Sequence, residues 1–183
     1  MKNAAAILLL GLSALACEPE EASENPSLLT HEERIDRYDA LILKNAQSRR
    51  LNPRLVKSII AAESGFYQGA LSPKGARGLM QLLPQTAEEM GVDRGQLGDP
   101  ESNLRAGTAY LNWLYRTAWR TYGFEGSYRD GPAWAQRQVI AAYHGGPRQL
   151  FRKNWPPRTR LYVRDVMRYY NSPVTALRSR PLE

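Results

Sequence analysis

The stretch of sequence that decides the fold is residues 52–66, NPRLVKSIIAAESGF. Asn52 is a residue type that caps a helix amino terminus, and Pro53 suits the first helical position. Apolar side chains then recur at helical spacing at Leu55, Val56, Ile59 and Ile60. This stripe predicts a helix that buries one face in the core and ends at Gly65, which can adopt a left-handed backbone.

The segments on both sides of this helix carry similar start and stop signals. Thr30 and Glu33 form a capping-box pattern ahead of a first segment with helical apolar spacing. Further helices are predicted at residues 84–91, from residue 100 onward, at 132–143 and at 157–170. Glycine and proline place loops at 72–78 and 123–131. No stretch has the period of a strand, so we expect a mostly α, single-domain fold.

Composition restricts the class of protein. The chain has 183 residues, 43% hydrophobic and 23% charged, which fits one globular domain with tails. A formal charge of +7 suits an anionic partner such as nucleic acid, an acidic polymer or a membrane face, or it is only an arginine-rich solvated surface. A single cysteine excludes a disulfide framework within the chain.

That cysteine, Cys17, follows a short apolar amino-terminal segment. Residues 1–16 have the pattern of a signal peptide, with Lys2 before an apolar run too short to span a bilayer. The end of this segment, Ala14-Leu15-Ala16-Cys17, resembles a bacterial lipobox, although leucine is usual where Ala14 stands. The alternative is an ordinary secretory signal with an incidental cysteine. We expect a lipidated Cys17 at the periplasmic face of the outer membrane, in the bacterial cell envelope.

The sequence also predicts the boundaries of the folded part. Residues 17–29 are acidic and punctuated by proline, which is typical of a flexible tether. The folded domain is predicted at residues 30–172, followed by a loose tail at 173–183.

Glu63 is the first candidate for chemistry. It lies near the end of the helix at 53–64, directly after the apolar residues 59–62. A carboxyl group held among apolar neighbours has a raised pKa, because desolvation disfavours the anion. A raised pKa suits a general acid that works near neutral pH. The alternative is a solvated surface glutamate, the commoner situation for this residue type on a helix.

Five segments in order resemble the motifs of soluble lytic transglycosylases and their lysozyme-like relatives. The first is residues 52–66. The others are GARGLMQLLPQTA at 75–87, DPESNLRAG at 99–107, AAYHGGP at 141–147 and TRLYV at 159–163. Order and spacing agree over residues 52–166, so the chain is identified as a member of this family with a lysozyme-like helical domain.

The resemblance implies a mechanism with Glu63 as the single catalytic acid and base. Glu63 protonates the glycosidic oxygen between N-acetylmuramic acid and N-acetylglucosamine, and then takes a proton from the C6 hydroxyl of the same muramyl residue. The substrate's acetamido group stabilises the intermediate, and the product carries a 1,6-anhydromuramyl end. Most other glycosidases use two carboxylates.

Supporting residues are implied at the positions that match the motifs. Tyr162 is implied to hydrogen-bond Glu63, and Ser64 to hold a substrate hydroxyl or carbonyl. Substrate-binding roles are implied for Met80, Gln81, Tyr143 and His144. The residue types leave alternatives open: Ser64 can cap the helix end, Met80 can belong to the core, and Tyr143 is itself a candidate to bond Glu63.

Other motif positions have structural interpretations. Gly75 and Gly78 allow a tight loop in which the backbone comes close to a ligand. Asp99 and Asn103 are better explained by helix capping and packing than by catalysis.

The chain departs from the family at two positions. His144 stands where the family usually has asparagine, and it is bulkier and can become charged, so it can change subsite fit or pH response. Arg158 stands where the family usually has glutamate and is expected at the surface. His31 is the one other histidine and belongs to the first helix, so we expect no metal site and no cofactor.

Three other functions remain open. A hydrolase resembling goose-type lysozyme would use water, an inactive scaffold lipoprotein would bind glycan without cleaving it, and a basic nucleic-acid binder would stack bases on its tryptophans. The signal sequence argues against nucleic acid. The expected partners are therefore peptidoglycan glycan strands and, through Cys17, the membrane, with the protein acting as a monomer.

Overall fold

The structure is a computed structural model, and it describes residues 35–124 and 132–177. Within these ranges the chain forms six α-helices, three short 3-10 turns and no named strand. The α-helices are α1 (Asp39–Ser48), α2 (Pro53–Ser64), α3 (Pro84–Glu89), α4 (Pro100–Tyr122), α5 (Ala133–Gly145) and α6 (Pro157–Tyr170). The 3-10 turns are Arg94–Gln96, Pro147–Phe151 and Pro173–Thr175. The prediction of a mostly α fold is confirmed.

Helix α2 forms as its sequence predicts. The Asn52 side chain accepts a hydrogen bond of 2.9 Å from the backbone N–H of Arg54, which satisfies a donor that the first helical turn leaves open. Gly65 ends the helix with φ of 56°, in the left-handed region. The predicted stripe is fully buried, because α2 packs between α1 and α6.

The long helix α4 supports the other side of the molecule. The Asp99 side chain caps it by accepting from the Ser102 N–H at 2.8 Å, and Gly123 ends it with φ of 68°. It packs against α1, α3 and α5. Helix α5 in turn packs against α6, so the ends of α2 and α5 and the middle of α6 meet on one side of the core.

The first helical segment is interrupted by a turn. Residues 35–36 are helical, a turn follows at residues 37–38, and helix α1 starts at Asp39. The capping-box residues Thr30 and Glu33 lie outside the described residues, as do the predicted signal peptide, Cys17 and the tether. None of the described helices is long and apolar enough to cross a membrane.

A buried lysine connects three parts of the fold. Lys57 on α2 is 0% exposed, and its Nζ lies 3.0 Å from Asp36 Oδ1 and 3.0 Å from Asp39 Oδ2. The same ammonium donates to the backbone carbonyl of Ala176 at 3.1 Å. The catalytic helix of the sequence prediction is thereby joined to segments at both ends of the described chain.

The carboxyl-terminal segment is more ordered than its sequence indicates. The prediction of a loose tail from residue 173 is wrong for residues 173–177, because Pro173–Thr175 forms a 3-10 turn with Thr175 fully buried. Lys57 holds Ala176, and the Arg54 guanidinium donates to the carbonyl of Ser172 at 2.8 Å. Residues 178–183 lie outside the described part.

Candidate active site

Glu63 and Tyr162 form the centre of the site. Glu63 lies in the last turn of α2, and its Oε1 accepts a hydrogen bond of 2.7 Å from the hydroxyl of Tyr162 on α6. Burial raises the pKa of Glu63 to about 7, and the bond from Tyr162 opposes this rise. Neither cause involves another carboxylate. The carboxyl group is therefore divided between its acid and its base form at neutral pH.

Tyr162 lies on the buried face of helix α6, which places its hydroxyl beside Glu63. Thr159, Tyr162, Val163 and Val166 are its buried residues. Burial is the main cause that holds the pKa of Tyr162 well above its ordinary value, and the neighbouring Glu63 raises it further. The phenol is therefore protonated in the range where Glu63 titrates, and it acts as a donor. The hydrogen bond implied by the resemblance is present.

Tyr143 has a different partner from the one considered in the sequence analysis. Its hydroxyl donates to the backbone carbonyl of Met80 at 2.9 Å, so the alternative in which Tyr143 bonds Glu63 is wrong. The residue is only 8% exposed, and its ring contacts Tyr110 with centroids 5.4 Å apart. Its direct action in this structure is to hold the backbone of the loop before α3 against α5.

Met80 is also placed differently from the implied role. Its side chain is 0% exposed, so the prediction that it presents its thioether to substrate is wrong for this conformation, and the core alternative holds. Its N–H donates to Oδ1 of Asn103 at 2.8 Å. A Cβ atom on Gly107 of α4 would lie 2.3 Å from the Met80 sulfur, which shows how closely helix and loop pack.

Asn103 on α4 binds the backbone of the loop before α3. Besides accepting from Met80, its Nδ2 donates to the carbonyls of Arg77 at 2.9 Å and Leu97 at 3.0 Å. A Cβ atom on Gly78 would come within 2.2 Å of that Nδ2. The close approach at Gly78 is therefore to Asn103, and the packing interpretation of Asn103 is confirmed.

Ser64 and Gln81 use their donors within the protein. The Ser64 hydroxyl lies 2.8 Å from the carbonyl of Leu79 and 3.2 Å from that of Ile60, so it ties the end of α2 to the loop. The Gln81 amide nitrogen donates to the carbonyls of Ala70 at 3.0 Å and Gly78 at 3.1 Å. Each side chain therefore offers a substrate an acceptor oxygen and no spare hydrogen.

His144 lies beside the central pair. It is exposed at the end of α5, and its ring stacks on the ring of Tyr162 with centroids 4.4 Å apart and an interplanar angle of 20°. Partial burial lowers the pKa of His144, and the positive charge of Lys74 lowers it further, so the ring is neutral at neutral pH. Arg158, the other departure from the family, is exposed at the start of α6 as expected.

The tryptophans divide between core and surface. Trp119 is buried and Trp155 is half-buried, whereas Trp113 and Trp134 are exposed at 40% and 48%. Trp113 stacks on Tyr110 with centroids 6.0 Å apart. In the part of the chain that the structure describes, no group of three or more His, Cys, Asp or Glu residues could hold a metal ion.

The sequence analysis named the residues that hold the loop in place but missed the contacts that they make. The hydrogen bond of Tyr143 with Met80 joins residues 63 positions apart, and that of Asn103 with Met80 joins residues 23 apart. Helical spacing placed both side chains on helices but contained no information on which loop atom each one meets. The one feature of the loop that its sequence indicated is its tight backbone, since Gly75 and Gly78 both have positive φ.

Comparison with known proteins identifies relatives of the part of the chain that contains Glu63. The family described as "Transglycosylase SLT domain" matches residues 40–160. A transglycosylase of Enterobacteria phage PRD1 is 35% identical over 121 residues, which are 66% of this chain and 38% of that protein. The membrane-bound lytic murein transglycosylase C of Yersinia pestis (strain Pestoides F) is 31% identical over 130 residues, 66% of this chain and 34% of that protein. The chain spans about a third of the length of these curated relatives.

Two solved structures share the helical fold. The lytic transglycosylase Slt of Pseudomonas aeruginosa, solved as an inactive mutant, is 29% identical, with a TM-score of 0.58 over 72% of this chain and 23% of that one. The 70 kDa soluble lytic transglycosylase of Escherichia coli is 25% identical, with a TM-score of 0.60 over 76% of this chain and 24% of that one.

Proposed function

Because the chain belongs to the transglycosylase SLT family, we propose that it is a peptidoglycan lytic transglycosylase. It cleaves the β-1,4 bond between N-acetylmuramic acid and N-acetylglucosamine and leaves a 1,6-anhydromuramyl end. The names of the relatives, a phage transglycosylase and a membrane-bound lytic murein transglycosylase, support this activity. So does the likeness to two lytic transglycosylase structures.

The observation that carries the proposal is the state of Glu63. A pKa of about 7 gives the carboxyl group comparable fractions of acid and base at neutral pH. A reaction that first donates and then removes a proton can use one such group for both steps. Hydrolysing glycosidases divide these tasks between two carboxylates, whereas among the described residues the causes of the Glu63 shift include no second acid.

The proposed steps balance without water. Protonated Glu63 donates its hydrogen to the glycosidic oxygen, the bond from that oxygen to the muramyl C1 breaks, and the acetamido oxygen stabilises C1. The Glu63 carboxylate then takes the proton of the C6 hydroxyl as O6 forms a bond to C1. Glu63 ends protonated, as it began. Tyr162 fixes the position of the carboxyl group and stabilises the anion between the steps.

Substrate contacts follow from the groups that remain available near Glu63. We assign acceptor roles to the Gln81 side-chain carbonyl and the Ser64 oxygen, because their hydrogens are engaged. Tyr143 supports the site by holding the carbonyl of Met80. The charge of +7 favours association with the anionic peptides of the glycan strands, and the enzyme is proposed to act as a monomer without a cofactor.

The amino-terminal residues place the enzyme at a membrane in this proposal. Residues 1–16 are a signal peptide, Cys17 is lipidated, and residues 17–29 tether the catalytic domain of residues 30–172 to the periplasmic face of the outer membrane. The lipobox-like residues before Cys17 support the anchor, and the relative named as membrane-bound supports a location in the bacterial envelope.

The test is product analysis on purified sacculi. Digestion should release muropeptides whose ends are lighter by one water than reducing ends, measured by mass spectrometry. Glu63→Gln should release none while still sedimenting with sacculi, since its shape is kept and only the proton donor is lost. Reducing ends would instead identify a hydrolase, and binding by the wild type without products would identify an inactive scaffold.

A further inference from the structure

The stacked pair of His144 and Tyr162 lies directly beside the catalytic bond of the proposed function. The two rings are nearly parallel, at 20°, with centroids 4.4 Å apart, and the hydroxyl of Tyr162 is 2.7 Å from Glu63 Oε1. His144 is exposed whereas Tyr162 is buried. The imidazole therefore covers one face of the phenol and lies between it and solvent.

We propose that His144 is a positioning residue, which holds the Tyr162 ring against Glu63 and keeps water from that pair by stacking. The inference rests on the proposed function for its effect on cleavage, but not for its effect on the carboxyl group. A tyrosine hydroxyl moves when its ring turns about the side-chain bonds, so an aromatic face packed on the ring restricts where the hydroxyl can point.

The backbone around His144 is suited to this task. Tyr143, the preceding residue, is fixed by its hydrogen bond to the Met80 carbonyl at 2.9 Å. Helix α5 ends immediately after His144, at Gly145, and Gly146 continues with φ of 85°. Two consecutive residues of α5 therefore contact two elements of the site: Tyr143 contacts the loop before α3, and His144 contacts helix α6.

The charge state of the ring agrees with a packing role. Partial burial lowers the pKa of His144, and the positive charge of Lys74 lowers it further. The lowered pKa favours the neutral form of the stacked ring. A neutral ring excludes water from the pair without adding a positive charge that would favour the carboxylate.

The proposal also predicts that asparagine and histidine at position 144 would give different pKa values for Glu63. An asparagine side chain lacks an aromatic face, so it would leave the face of Tyr162 open to water. With more water near Glu63, desolvation would weaken, and desolvation is the main cause of the raised pKa. His144→Asn should therefore have a lower Glu63 pKa than the wild type.

The experiment compares His144→Ala, His144→Asn and His144→Phe, all expected to fold because the residue is exposed. NMR titration of the 13C-labelled Glu63 carboxyl should show a pKa lower by about 0.5–1 unit in the alanine and asparagine variants, and near the wild-type value in the phenylalanine variant. The turnover number on sacculi should fall roughly threefold to tenfold in the first two and return with phenylalanine, with KM little changed.

Two results would overturn the proposal. One is a Glu63 titration that does not change in any variant. The other is a phenylalanine variant as impaired as the alanine variant with a raised KM, which would assign the imidazole nitrogens to substrate binding. The carboxyl titration needs no cleavage, so a wild type that cleaves nothing would refute the proposed function while the titration still decides the role of His144.

Discussion

The hydroxyl of Tyr162 donates a 2.7 Å hydrogen bond to Oε1 of Glu63, across 99 positions of sequence. Burial raises the pKa of Glu63 to about 7 and this bond lowers it, so the value reflects two opposed effects. Desolvation favours the protonated form, which can act as an acid, and the hydrogen bond stabilises the anion, which can act as a base. Tyr162→Phe tests the hydrogen bond directly, whereas a change at His144 alters both the access of water and the position of the Tyr162 ring.

Tyr162→Phe should slow turnover on the order of tenfold to a hundredfold, because a hydrogen bond to a charged group contributes about 1.5–3 kcal/mol and 1.36 kcal/mol is a tenfold change in rate. Loss of the bond raises the Glu63 pKa, so activity should persist to higher pH. Sacculus binding should change little. Steady-state rates across pH check this, with Tyr169→Phe on the same helix as control. Full turnover with an unmoved pH profile would retire the assignment.

The two glycines of the loop before α3 should respond differently to alanine. Both have positive φ, 82° at Gly75 and 78° at Gly78. A Cβ atom at Gly75 meets nothing within 4 Å, whereas at Gly78 it would lie 2.6 Å from the backbone oxygen of Leu97. Gly75→Ala should cost about 1–2 kcal/mol of unfolding free energy from the left-handed backbone alone. Gly78→Ala should cost roughly 4 kcal/mol or more, measured by urea denaturation. Equal losses would contradict this packing.

The helices could be predicted from sequence because their signals are local. Asn52 and Asp99 each cap a helix through a backbone N–H two or three residues away, and Gly65 ends its helix through its own backbone freedom. The chemistry of Glu63 was predictable for the same reason, since its apolar neighbours precede it directly in the chain. The resemblance to the family added Tyr162.

The contacts that hold the site together could not be predicted, because they join distant positions. The sequence suggested that Met80 contacts a sugar. In the structure its backbone is instead bonded to Asn103 on α4 and to Tyr143 on α5, which lie 23 and 63 positions later in the chain. Lys57 follows the apolar Val56, and a lysine is almost never fully buried unless it is paired. Its pairing with Asp39 and its bond to Ala176 appear only in three dimensions.

Lys57→Met should destabilise the domain by about 3–5 kcal/mol, the usual effect of removing one partner from a buried ion pair. The ammonium that Asp36 and Asp39 face would be gone, and the carbonyl of Ala176 would lose its donor. The control is Lys44→Met, whose pair with Glu101 is exposed at 68% and 50% and should contribute less than about 1 kcal/mol.

Hydrogen exchange would locate the damage caused by Lys57→Met. Faster exchange is expected in the segment at 172–177, because Lys57 holds its backbone. Equal unfolding free energies for the Lys57 and Lys44 variants would show that the buried cluster does not stabilise the fold.

Cys17→Ala should release the protein from membranes or block its processing. The proposed anchor consists of acyl chains on this residue, and it is the one cysteine of the chain. Fractionation at high salt, together with labelled fatty acid, measures the effect. High salt is needed because a protein with a charge of +7 can adhere to anionic lipid without an anchor. If the variant stays with membranes under these conditions, the anchor lies elsewhere.

Glu63→Gln should make the protein more stable at alkaline pH although it removes the catalytic group. The ordinary carboxyl pKa is 4.5 and the folded value is about 7, so the folded state binds more protons than the unfolded state between them. The stability that Glu63 contributes is therefore complete below pH 4.5 and is lost as pH rises through about 7. The pKa difference of 7 − 4.5 = 2.5 units sets an upper limit of about 3 kcal/mol for this loss.

Glutamine does not titrate, and its side-chain oxygen can still accept from Tyr162. The variant should match the wild type at about pH 4 and exceed it by roughly 1–3 kcal/mol at about pH 8, measured as the free energy of unfolding in urea. Glu89→Gln, at an exposed position, should instead keep the wild-type pH dependence. If the stability of Glu63→Gln follows the wild-type curve at every pH, the carboxyl group is not desolvated, and the acid–base role built on its raised pKa loses its physical basis.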